Sequence, residues 1–285
     1  MMSQDQVTRI IARLDIKGNN LVKGINLEGL RVLGKPDFFA YEYYNEGIDE
    51  IFYQDVVASL YGRNSLIDVI SKTAKKLFIP LTVGGGIRSI KDISKVLRAG
   101  ADKVSINTAA FENKEFISNA VKVFGSSTIV VALEVIKQEN GLYFAFTDNG
   151  RNPTKIKGTE WVKIVEDLGA GEIILTFVDY EGTGKGIDLT YAKKIVESIN
   201  IPVIIHGGFG KKNQISEVIK KIQPSGIAIA SMFHYNKIHI TKNFSFTEGN
   251  TDFIKKNKNY GLVTPINVKD LKKYLIEIEH LNIRN

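Results

Sequence analysis

Shifted against itself by about 122 residues, this chain matches in four consecutive places. Arg9-Ile-Ile-Ala-Arg-Leu-Asp15-Ile-Lys17 answers Ile129-Val-Val-Ala-Leu-Glu134-Val-Ile-Lys137, and Glu46-Gly-Ile-Asp-Glu50-Ile-Phe52 answers Leu168-Gly-Ala-Gly-Glu172-Ile-Ile174. Ile79-Pro-Leu-Thr-Val-Gly84-Gly-Gly86 answers Ile201-Pro-Val-Ile-Ile-His206-Gly-Gly208, and Asp102-Lys-Val-Ser-Ile-Asn107 answers Ser225-Gly-Ile-Ala-Ile-Ala230. The separation is 119 residues at the first match and 122 or 123 at the others. A long fixed period marks duplication, so the fold must divide into two like halves of four units each. The match also pairs Asp15 with Glu134, one carboxylate per half.

Eight short apolar, β-branched runs lie at about 8–14, 50–56, 79–83, 103–106, 128–134, 172–178, 202–206 and 226–230. Between them the apolar spacing becomes helical, as in Ser65–Leu77, Lys91–Leu97 and Trp161–Leu168, with Gly100 and Gly169 as stop signals. Strands alternating with helices predict parallel βαβ units. Eight units in two duplicated halves predict an α/β fold, a closed (β/α)8 TIM barrel built from two half-barrels, in place of an open doubly wound sheet. The chain, 1–285, is expected to form this one domain. Residues of about 236–264 fit no unit. They are polar and weakly periodic, and are expected to form an extended loop before a closing helix at about 267–280.

Composition narrows the function. No run of about 18 apolar residues predicts a membrane span. The N-terminal Met-Met-Ser-Gln-Asp-Gln is unlike a secretory signal, and the absence of cysteine removes disulfides, thiol nucleophiles and thiolate metal sites. A cytoplasmic location is expected, with no metal and no cofactor. The net charge of +7 is spread over the helices and the C-terminal region. Nucleic acid would ask for a clustered basic stripe with aromatics, which is lacking. Solvated lysines explain the charge by default, and a small polyanionic substrate fits it as well.

In such barrels chemistry sits at the C-terminal strand ends. Asp15, Asp55, Gly84–Gly86, Asn107, Glu134, Thr176, Gly207 and Ser231 fall there. Gly84, Gly85 and Gly86 in one half, and Gly207 and Gly208 in the other, carry no side chain, so an oxyanion can approach their backbone N–H groups. Asn107-Thr108 and Ala230-Ser231 end the next strands, where helix N-termini add donors. One Gly-Gly pair is more often only a tight turn. Two at equivalent positions, one of them at strands 7–8, predict a ligand with a phosphate at each end. Asp15 and Glu134 would face each other between them, able to divide proton donation and acceptance. The structural alternative pairs Asp15 with Lys17 or Lys23, and Glu134 with Lys137. At the opposite strand ends stand Arg9, Glu50, Lys103 and Glu172, by default a salt-bridge ring and otherwise a charged iris below the lumen.

These motifs closely resemble the cyclase subunit of imidazole glycerol phosphate synthase, from about Arg9 to His234 and again in the last helix. The markers are Arg9-Ile-Ile-Ala-x-Leu-Asp15, Leu-Val-Lys23-Gly, Asp55-Val-Val-Ala-Ser59, Thr-Val-Gly-Gly-Gly-Ile87, Ala-Asp-Lys-Val-Ser-Ile-Asn-Thr-Ala-Ala110, Gly169-Ala-Gly-Glu172-Ile and Asp179-x-x-Gly182-Thr. The sister isomerase of histidine biosynthesis shares the half-barrel repeat, but Leu-Val-Lys23-Gly and Ser-Ile-Asn107-Thr-Ala-Ala look like the cyclase. The resemblance implies a lyase that takes ammonia from a glutaminase docked at the N-terminal barrel face. With it the cyclase converts a bisphosphorylated formimino ribonucleotide into imidazole glycerol phosphate and an aminoimidazole carboxamide ribotide. It implies catalysis by Asp15 and Glu134. Substrate would be held by Lys23, Gly84, Gly85, Gly86, Asn107, Thr108, Thr176, Gly182, Gly207, Gly208, Ala230 and Ser231. Arg9, Glu50, Lys103 and Glu172 would gate the ammonia.

The chain departs from the family pattern at its active face. Glu134 replaces an Asp, His206 a small Ser, and Glu181 another Asp; Phe177, the Thr-Lys-Ile-Lys-Gly158 loop and the 236–264 insertion also differ. The gate residues do not. This asymmetry, with the wording Arg-Leu-Asp15-Ile-Lys-Gly and Leu-Glu-Gly-Leu-Arg-Val-Leu-Gly34, is similar to a branch associated with surface polysaccharides. There the pair is thought to feed ammonia to a sugar amidotransferase, which is the alternative expectation.

Overall fold

The computed structural model describes residues 7–58, 66–240 and 261–284. In chain order its strands are β1 (Arg9–Lys17), β2 (Asn20–Ile25), β3 (Glu28–Gly34), β4 (Glu50–Asp55), β5 (Leu81–Gly84), β6 (Lys103–Ile106), β7 (Ile129–Lys137), β8 (Tyr143–Thr147), β9 (Asn152–Lys157), β10 (Glu172–Phe177), β11 (Val203–His206) and β12 (Gly226–Ile229). Eight of them, β1, β4, β5, β6, β7, β10, β11 and β12, run parallel and close into a ring where β12 pairs with β1. Helices on the connections cover it, as expected of a (β/α)8 barrel. Helix Ile90–Arg98 shows the local logic. The hydroxyl of Ser89 accepts the Asp92 N–H, the Asp92 carboxylate accepts the Ser89 hydroxyl, Ile93 and Val96 are buried, and Gly100 ends the run at φ +114°. Among the described residues no helix is long and apolar enough to cross a membrane.

Two features differ from expectation. Strands β1 and β7 overshoot the rim, and each continues into an antiparallel hairpin, β2–β3 and β8–β9, so that Val22 pairs with Asp15 and Phe146 with Glu134. The Thr154–Gly158 stretch, expected as a loop, therefore lies in β9 and the start of helix Gly158–Asp167. The signal was present: Asn149-Gly150, both at positive φ, is a hairpin turn pair flanked by Tyr143-Phe-Ala-Phe-Thr147. The 236–264 loop also begins later than expected, because helix Ser231–Ile240 runs through its first residues. Residues 241–260 lie outside the described residues. At the far end Leu262 N–H donates to Thr183 and Thr264 N–H to Gly210, which seats this segment against the connections after β10 and β11. The closing helix is Val268–Lys273, continued by a π turn over Tyr274–Ile278.

Period-2 alternation decides what the ring encloses. On β1, Ile10, Ala12, Leu14 and Ile16 join the apolar layer beneath the helices. Arg9, Ile11, Arg13 and Asp15 are the alternate set and face the lumen, which is stacked in three levels. Its waist is Ile11, Phe52, Val130, Ala132, Ile174, Ile204 and Ala228. Below, Arg9 donates to Glu50 (2.7 Å) and to Glu172, while Lys103 reaches Glu172 (2.9 Å) and Glu50 (3.3 Å). The Thr82 hydroxyl donates to Glu50 at 2.6 Å. The four charges thus close a ring of alternating sign at the strand starts.

Glu50 is fully buried and holds three donors together, so Glu50→Ala should cost about 3–5 kcal/mol, as expected when one member of a buried ionic set is removed. Denaturant unfolding would show this against Lys193→Ala, which breaks an exposed pair and should cost under about 0.5 kcal/mol.

Candidate active site at the barrel mouth

The two glycine clusters form repeat-related cradles. Gly85 and Gly207 both have φ +98°, and a side chain at either would strike a carbonyl oxygen, that of Asp55 in one half and of Phe177 in the other. These obstructing residues are themselves 122 apart, so the duplication extends to the packing behind each cradle. Helices Thr108–Glu112 and Ser231–Ile240 begin beside them. The first cavity is lined by Gly85, Gly86, Asn107 and Thr108 together with Arg88, Glu134 and Asn149. The second is lined by Gly182, Gly207, Gly208, Ala230 and Ser231 together with Glu181 and His206. Four steps round the ring separate β5 from β11 and β6 from β12, which sets the cradles on opposite sides of the mouth. Gly84 is closed off behind the first, where an added side chain would meet Gln54 and Ser105. In the first cavity's wall Ser105 Oγ, Asn107 Oδ1 and both amide atoms of Asn149 are buried with no protein partner. Such atoms are what a polar ligand would satisfy.

Asp15 on β1 and Glu134 on β7 also stand four steps apart and are both buried. Neither takes the lysine partner weighed from sequence. Asp15 accepts from Arg13 Nε at 3.0 Å. Glu134 accepts from the Gly150 N–H at 2.8 Å, because the β8–β9 turn folds back over it. Lys137 instead pairs with Asp188, and Lys23 with Glu181. Burial pushes the Glu134 carboxyl up to about 7, against the opposing pull of the Arg13 charge and the Gly150 hydrogen bond. Around neutral pH Glu134 can therefore either hold or release a proton.

Arg13 was not among the expected site residues, although alternation from Arg9 through Ile11 to Asp15 places it in the lumen. It is 2% exposed. Its Nη1 lies 3.2 Å from Thr176 Oγ1 and 3.1 Å from His206 Nδ1, and the guanidinium sits over Phe52 at 5.8 Å. Thr176 is thereby tied into this network. Burial, then the nearby charges of Arg13 and Lys23, hold His206 well below its usual range, so it is neutral and adds no cationic charge to the second cradle. Lys23 is equally committed. Its ammonium bonds Glu181 and the Gly24 carbonyl, while Glu181 also receives the Leu27 N–H and, at its backbone, the Asn26 N–H. That clamp pins the β2–β3 turn, where Asn26 and Leu27 have positive φ.

The raised Glu134 carboxyl has a consequence for stability. The fold disfavours ionised Glu134, a cost absent below about pH 4.5 and complete above about 7. Glu134→Gln should therefore stabilise the protein at pH 8 by roughly 3 kcal/mol, a gain that vanishes below about pH 4.5. Thermal unfolding of both proteins across this range measures it, and a gain independent of pH would disprove the assignment.

Comparison with known proteins shows the family. The sequence model of the family described as "Histidine biosynthesis protein" matches residues 9–239. Imidazole glycerol phosphate synthase subunit HisF of Legionella pneumophila is 51% identical over 208 residues, spanning 73% of this chain and 98% of that protein. The subunits of the same name from Sulfurisphaera tokodaii and Bacillus cereus are 48% and 46% identical over 232 residues, 81% of this chain and 92% of theirs. This chain belongs to the histidine biosynthesis protein family, among its HisF-type members.

Proposed function

We propose that this chain is the cyclase subunit of an imidazole glycerol phosphate synthase. It uses ammonia to convert the bisphosphorylated formimino-aminoimidazole carboxamide ribonucleotide into imidazole glycerol phosphate and the aminoimidazole carboxamide ribotide, in histidine biosynthesis. The observation that carries this reading is the crossed arrangement of the mouth. Two glycine-lined cavities face each other on β5–β6 and β11–β12, and two carboxylates face each other on β1 and β7 between them. A ligand with a phosphate at each end, seated in both cradles, lays its middle between Asp15 and Glu134. Condensing ammonia with a carbonyl requires one group to take a proton from nitrogen and another to give one to the departing oxygen. Asp15, bonded to a permanent cation, suits the first task. Glu134, with its raised carboxyl, suits the second.

The relatives are named as subunits, which supports an assembly. Ammonia would come from a glutaminase docked at the strand starts, pass the ring of Arg9, Glu50, Lys103 and Glu172, and cross the apolar waist. An apolar waist suits a small neutral molecule and keeps it from protonation in bulk water. This work belongs in the cytoplasm, and the domain is the single barrel of 1–285.

One observation favours a second reading, an ammonia-conducting scaffold for a sugar amidotransferase. The ring at the strand starts is intact, whereas the mouth holds the longer Glu134, the bulky His206 and a lysine already bound by Glu181.

Complementation of a histidine auxotroph lacking the cyclase separates the two. Growth is expected with this chain and is expected to vanish with Asp15→Asn, whose ammonium-dependent turnover should fall by roughly 10²–10⁴-fold. No growth from a folded chain that still activates its glutaminase would transfer the assignment to the scaffold.

A further inference from the structure

Duplication makes Asp15 and Glu134 equivalent, yet two substitutions between the halves make them unequal. The position matching Arg13 is Ala132, and the position matching His206 is Gly84. Both large polar side chains therefore enter the lumen from one side, on β1 and β11, and their counterparts on β7 and β5 are small. Arg13 bridges this side. Its Nε bonds Asp15, and its Nη1 meets both Thr176 and His206 Nδ1. Arginine cannot accept a hydrogen bond, so at His206 Nδ1 it must be the donor. The ring proton then lies on Nε2 of His206, a residue that lines the second cradle.

We propose that Arg13 is a positioning residue: it fixes Asp15 as the proton acceptor, leaves Glu134 opposite as the donor, and holds His206 in the tautomer that offers Nε2–H to a phosphate in the second cradle. This deepens the cyclase reading and rests on it. Among the described residues, the other charged and titratable groups near these carboxylates are few. Asp148 sits in the turn over Glu134 and raises its carboxyl, and Asp15 does the same from across the mouth, while Arg13 is the largest influence lowering it. Lys23 and buried His234 are on the Asp15 side, with His234 held down to about 3 by burial and by Lys23, hence neutral. Lys23 is spent on Glu181. Arg13 is thus the cation that joins the acceptor carboxylate to the second cradle.

Removing that charge must raise Glu134 further, so a rate that needs protonated Glu134 should persist to higher pH. The test uses the full chain with ammonium salt as nitrogen source, adjusted to the same free ammonia at every pH, which bypasses any glutaminase, and compares Arg13→Met and Arg13→Lys with wild type. For wild type, kcat/KM should decline as pH rises through about 7, the value to which Glu134 is pushed. Arg13→Met should lose about 100-fold in kcat, raise KM for the bisphosphate, and shift this decline upward by about one pH unit. Arg13→Lys should restore at least tenfold in kcat and return the decline toward its original place. A second readout needs no turnover. The His206 ring ¹⁵N shifts should report the neutral Nε2–H form throughout pH 6–8 in wild type, and a changed tautomer or a protonated ring in Arg13→Met. An Arg13→Met protein with the wild-type pH profile and unchanged His206 shifts would overturn the inference. So would a loss of rate that Arg13→Lys does not relieve. If wild type itself fails to turn over the bisphosphate, the cyclase reading falls, and the His206 shifts alone then decide the role of Arg13.

Discussion

Closing eight parallel strands into a ring forces every second side chain of each strand toward one axis. Everything else in this protein answers to that constraint. A side chain sent into the lumen gives up most of its hydration, so an ionised one needs a partner there. At the strand starts the answer is the ring formed by Arg9, Glu50, Lys103 and Glu172. At the waist an apolar cluster leaves little to satisfy. At the mouth it is the Arg13 network on one side and backbone donation to Glu134 on the other.

The three levels make a gradient of chemistry along the barrel axis. At the strand starts the charges cancel in pairs, so no buried ion is left unmatched. The apolar stretch above them disfavours a charge, because an ion there would forfeit its hydration. The mouth then gathers buried titratable groups, most clearly Glu134, which burial pushes up to about 7. A carboxylate tuned in this way lowers stability at neutral pH, the usual signature of a group kept for function.

Duplication supplied the symmetry of the site, and later divergence supplied its direction. The cradles remain alike down to the carbonyl oxygens behind Gly85 and Gly207. The hairpins that extend β1 and β7 do not. The β2–β3 turn is pinned by Glu181 from the loop after β10, whereas the β8–β9 turn caps Glu134. A reaction that takes a proton at one end of a bond and gives one at the other needs such inequality.

By itself the sequence determined the barrel, its two halves, the two matched glycine clusters, the two facing carboxylates and the four charges at the strand starts. All of these are written in local periodicity and in the repeat, which a linear reading can detect. The hairpins were legible in part, through Asn149-Gly150, but were masked because the strands leading into them continue the barrel strands without a break. Only the tertiary structure decided the partners. Arg13 chose Asp15 over the lysines expected for it, and reached Thr176 and His206 across 163 and 193 residues of sequence. Lys23 was spent on Glu181, 158 residues away. Contacts across a closed ring join residues whose separation follows no period, so their chemistry becomes readable only once the ring has closed.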